Sequence, residues 1–118
     1  MTSDEVLQGA IDLLQDPERW CKKHIARSSF GMPAGDISTM GVIRSTCLVG
    51  AIRLAARPDH LFQSLPASNE AADRLRMVPE VAAFDIGHGC PIPLFNDDPN
   101  TTHEDVLLVL KKALYDTP

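Results

Sequence analysis

A chain of 118 residues with 44% hydrophobic side chains suffices for one ordinary core and is short for two domains, so a single domain over 1–118 is expected. Its 16 acidic and 11 basic residues leave a net charge of −5, which makes nucleic acid a poor candidate partner because phosphate binding needs clustered cations. No apolar run approaches the roughly 20 residues that cross a bilayer, Met1 leads straight into Thr2, Ser3, Asp4 and Glu5 with no signal-peptide pattern, and three cysteines do not make a stapled secreted scaffold, so the cytoplasm is the expected compartment.

Thr2-x-x-Glu5 is a capping box, and Val6, Leu7, Ala10, Ile11, Leu13 and Leu14 then recur at helical spacing. Asp16-Pro17 closes this first helix and can start a short turn that carries Trp20 and Cys21. Over 27–41 the periodicity disappears among Ser28, Ser29, Gly31, Pro33, Gly35, Asp36 and Ser38, and a long loop is expected. Order returns with Ser45 as the expected N-cap of a central helix through Thr46, Cys47, Leu48, Val49, Gly50, Ala51, Ile52, Leu54, Ala55 and Ala56, ended by Arg57-Pro58. Its apolar circumference calls for neighbours on several sides, and its small residues admit a close helix. Asp59 to Leu65 suggests a further turn, and Ser68 suggests the cap of a helix toward Met77. The run Val81 to Phe84 is too short to assign, and Gly87, Gly89, Pro91 and Pro93 argue against regular helix before Phe95. Thr101-x-x-Glu104 is a second capping box, before a stripe of Val106, Leu107, Val109, Leu110, Ala113 and Leu114. The expected fold is all-α or predominantly α, a bundle of about four to five helices with a long central loop. The first, central and last helices form the bundle, with room for an extended segment over 84–95.

Charge is distributed unevenly. Residues 1–16 carry four acids and no base, whereas 17–57 carry Arg19, Lys22, Lys23, Arg27, Arg44, Arg53 and Arg57 against Glu18 and Asp36. One consequence is surface pairing between acidic termini and a basic middle. The sharper expectation is that Arg44, Arg53 and Arg57 bind an anionic ligand or an acidic partner surface.

Three other constellations bear on chemistry. Cys21-x-x-His24 and His88-x-Cys90 have the donor types of a Cys2His2 zinc site, though not its usual spacing. Cys47, His88 and Asn96 stand in the order of a papain-like thiol hydrolase, where a histidine activates the thiol and an amide orients the imidazole; no hydrolase signature surrounds Cys47. Asn96, Asp97, Asp98 and Asn100 lack the glycine and terminal glutamate of an EF-hand, which leaves Asx turns.

An N-terminal amphipathic helix, Trp20, the helix Cys47-Leu48-Val49-Gly50-Ala51, and Asn96-Asp97 before Thr102 and Val106 occur in that order. The chain thereby resembles a family of small, uncharacterised bacterial and phage-encoded domains of unknown function. That resemblance implies a largely helical fold and carries over no activity or ligand. In the family the Asn-Asp pair often follows tryptophan, where this chain has Phe95. Together these features favour an interaction module without cofactor, acting on an unknown protein partner or self-associating as a homodimer. The thiol hydrolase and a zinc-stabilised domain are the alternatives.

Overall fold

The computed structural model describes residues 2–23, 26–28, 43–56, 65–87 and 90–115. Helix α1, Ser3–Leu14, begins as its sequence dictates: the Thr2 hydroxyl accepts the Glu5 N–H at 3.2 Å, and the Glu5 carboxylate accepts the Thr2 N–H at 3.1 Å. Val6, Leu7, Ala10, Ile11 and Leu14 are buried along one face, each large side chain contributing roughly 1.5–3 kcal/mol of transfer free energy. Asp16 then caps a 3-10 turn, Pro17–Arg19, by accepting the Glu18 N–H at 3.0 Å.

Two short strands follow. β1, Ala26–Ser28, pairs antiparallel with β2, Ile43–Thr46, so Arg27 and Ser28 belong to a strand and not to the expected loop. The same pairing overturns Ser45 as a helix cap. Ser45 and Thr46 are buried in β2, with Thr46 also accepting the Cys21 N–H at 3.0 Å. The helix therefore starts two residues later, as α2, Leu48–Ala55, with Cys47 as its N-cap and the sulfur accepting the Gly50 N–H at 3.4 Å.

α3 spans Leu65–Arg76 and starts before Ser68, which lies buried inside it and caps nothing. Pro66 explains the earlier start, since a proline in the first turn loses no intrahelical hydrogen bond. α4, Pro79–Ala82, settles the ambiguous apolar run as a single helical turn. The expected extension of chain over 84–95 is corrected by α5, Pro91–Asp97. Both of its prolines sit in the first turn, where their missing N–H groups have no partner to lose. α6, His103–Tyr115, is capped one residue later than the sequence pattern suggested: Thr102 and Asp105 form the reciprocal pair, at 3.2 and 2.9 Å.

The fold is predominantly α. α1 is the shared partner, packing against α2, α3 and α6. A methyl group added at Gly9 would stand 3.0 Å from Ala55 Cβ, so glycine permits the close approach of α1 and α2. Leu48, Ala51, Ile52 and Leu54 of α2 are buried within the chain, with α1, α3 and α5 packed around the helix. Among the described residues no helix is long and apolar enough to cross a membrane.

Candidate binding groove

Trp20, the start of α2 and Asn96-Asp97 meet at one point. Asn96, on α5 and 1% exposed, accepts the Trp20 indole N–H at 2.7 Å and the Leu48 N–H at 3.1 Å through one oxygen. Its amide nitrogen donates to Cys21 O at 3.2 Å and to Asp97 Oδ1 at 2.9 Å. One side chain thus ties the segment after α1, the start of α2 and the end of α5 together, with its hydrogen-bonding capacity used. Asp97 Oδ1 also accepts the N–H of Lys23, a residue held at φ 70°, and Lys22 Nζ donates to Asp98 O at 2.6 Å. These contacts join the basic middle to the end of α5 through a backbone N–H and a backbone carbonyl, not through the pairing of opposite charges that the sequence suggested.

Beside this hub lie two hollows that share Val49, Arg53 and Pro93 and form one groove. The first, about 260 Å³, is bounded by Lys23, Cys47, Asn96 and Asp97. The second, about 240 Å³, has an apolar floor including Ile52, Ala72 and Ile92, with Ser68 and Asn69 on α3. Two guanidinium groups, Arg53 and Arg76, line it, and no carboxylate does among the described residues. Arg53 is exposed and has no carboxylate partner among the described residues. Arg76 pairs with Asp73 one turn earlier, and contact with the Cys90 sulfur, then Asp73, holds its guanidinium above the ordinary arginine range. Both groups stay charged across any working pH.

The other expected site residues fall as follows. Arg57, His24 and His88 lie outside the described residues, as does the Arg44 side chain on β2. Of the zinc set, Cys21 is half-buried beside Asn96 and Cys90 is half-buried at the start of α5; among the described residues no three metal-ligating side chains converge. Cys47 is 8% exposed, and burial pushes its thiol above the usual range despite the opposing Gly50 and Val49 amides. A thiol hydrolase needs the opposite shift. Asn96 lies near Cys47, yet its amide serves indole and backbone, leaving nothing to orient an imidazole. Sequence reasoning missed Arg76 and Cys90 as groove residues. Their spacing after Arg53 has no periodicity to betray it; only the packing of α3 and α5 on α2 brings them together.

No curated protein and no solved structure matches the chain. The sequence model of a family of unknown function does match, over residues 1–115. Matched over nearly its whole length, the chain belongs to that family of unknown function, DUF6197.

Proposed function

We propose that this protein is a non-catalytic interaction module of the cytoplasm that binds an acidic segment of a partner protein in the groove between α2, α3 and α5. The observation that carries the reading is the juxtaposition of Arg53 and Arg76 over an apolar floor that no carboxylate lines among the described residues. Apolar side chains of a partner would fill the floor, and its carboxylates would meet the two planar guanidinium groups, which suit bidentate pairing. Arg44 and Arg57 belong to the same basic stretch of sequence. The buried, protonated Cys47 thiol supports a binding role over a catalytic one.

The test is a titration of the 15N-labelled protein with a peptide alternating glutamate and leucine, and with its glutamine counterpart. The acidic peptide is expected to shift Val49, Ile52 and Ala72 saturably and the amide peptide to leave them in place. Arg53→Glu with Arg76→Glu should weaken binding by about tenfold or more, the loss of one charge-assisted contact. Equal binding of both peptides, or no shifts up to about 1 mM, overturns the reading.

A further inference from the structure

A separate hollow of about 440 Å³ opens between α4, the turn after α5, and α6. Phe84 and Phe95 stand edge to face in its wall, ring centroids 5.8 Å apart at 80°, and Leu108 of α6 adds apolar surface that is 45% exposed. Glu80, Asp98 and Asp105 supply its charge, all of one sign. Glu80 is paired with Lys112. Asp98 spends Oδ1 on the Asn100 N–H at 2.8 Å, and Asp105 spends Oδ2 on the Thr102 N–H at 2.9 Å. Each leaves its other oxygen without a partner among the described residues. Thr101 gives a second and independent sign of a ligand. It lines the same hollow, is 7% exposed, and its hydroxyl makes no hydrogen bond among the described residues. Buried hydroxyls are ordinarily satisfied.

We infer that this hollow receives an arginine side chain from a basic segment of a partner polypeptide. The aliphatic stem and the flat guanidinium suit the Phe84–Phe95 wall, where a cation over the face of an aromatic ring is favourable. The five N–H donors of the head match the open carboxylate oxygens of Asp98 and Asp105 and the lone pairs of the Thr101 hydroxyl. A bare metal ion fits poorly, because among the described residues no three carboxylates converge closely enough to hold one. The site is distinct from the groove of Arg53 and Arg76 in both lining and sign of charge.

The experiment titrates the full chain, 15N-labelled, with tetra-arginine and with the corresponding tetra-citrulline, which keeps the stem and loses the charge. Tetra-arginine is expected to shift Thr101, Leu108 and Val109 saturably, and tetra-citrulline to shift none of them. Thr101→Val and Asp98→Asn should each weaken binding by about threefold or more, as for one contact at a half-open site, with the thermal midpoint unchanged. Tetra-arginine should leave Val49, Ile52 and Ala72 in place, which separates the inference from the proposed groove. If Thr101→Val does not fold, Leu108→Lys, at an exposed position, places a resident cation at the mouth and should abolish the shifts. Equal response to the two peptides, absence of shifts up to about 1 mM, or wild-type affinity in Asp98→Asn and Leu108→Lys overturns the assignment.

Discussion

Asn96 illustrates what a single buried amide does when every polar atom on it has a partner. Replacing it by alanine strands the Trp20 indole N–H and the Leu48 N–H together. Leaving a buried donor unsatisfied costs roughly 1–3 kcal/mol, so Asn96→Ala should lower the unfolding free energy by at least about 2 kcal/mol in urea, read by the fluorescence of Trp20. A loss within error would mean that water takes over the vacated positions. Cys47 carries a different prediction. Its thiol is raised chiefly by desolvation, so the native state keeps a proton that the unfolded chain releases near the ordinary thiol value of about 8.5. The native state then binds more protons than the unfolded one, and stability falls as pH rises through and above that value. Urea midpoints should drop between neutral and alkaline pH, and Cys47→Ala should flatten the drop; an identical slope in the variant would assign it to other groups. Both residues were visible in the sequence as chemical types in a suggestive order. What the sequence could not express is that the amide's lone pairs are taken by an indole and a helix start.

Helices α1 and α6 were legible because cap and apolar stripe agree. At α6, Thr101-x-x-Glu104 and Thr102-x-x-Asp105 fit the same pattern, and the choice falls to burial: Thr101 turns inward, Thr102 is exposed and caps. α5 was hidden by its prolines, since a rule that forbids them inside a helix says nothing against its first turn. The start of α2 was hidden by β1, a strand of three residues whose pairing is nonlocal. The close crossing of α1 on α2 yields a prediction of its own. Gly9→Ala gains up to about 1 kcal/mol of helix propensity, but its methyl would sit 3.0 Å from Ala55 Cβ, an atom fixed to a helix backbone with no rotamer to yield. The clash should win, because overpacking costs typically about 1–3 kcal/mol. Gly9→Ala should therefore melt lower than the natural chain, and adding Ala55→Gly should return part of the loss. A Gly9→Ala protein of raised melting temperature would show that α1 and α2 slide apart freely.

At the scale of the molecule, sign of charge and distance decide together. The chain carries −5 overall, yet Arg53 and Arg76 make a local positive spot. An acidic peptide approaching that groove feels repulsion from the whole and attraction from two groups beside it. The screening length is about 30 Å at 0.01 M salt and about 10 Å at 0.1 M. The described residues extend 34 × 32 × 26 Å, so the first length spans the molecule and the second little more than the groove. Raising salt from about 0.01 to 0.1 M should remove repulsion faster than attraction, and affinity for the glutamate–leucine peptide should hold or rise. Toward about 1 M, where screening reaches about 3 Å, the contact itself weakens and affinity should fall. Tetra-arginine meets the opposite case, since the distant charge and the Asp98 and Asp105 carboxylates both attract it, and its affinity should fall at every step. Titrations of both peptides across that salt series distinguish the two surfaces without any substitution. A steady decline for the acidic peptide from the lowest salt would mean that its binding draws on more cations than Arg53 and Arg76, with Arg44 and Arg57 the first to replace by glutamine.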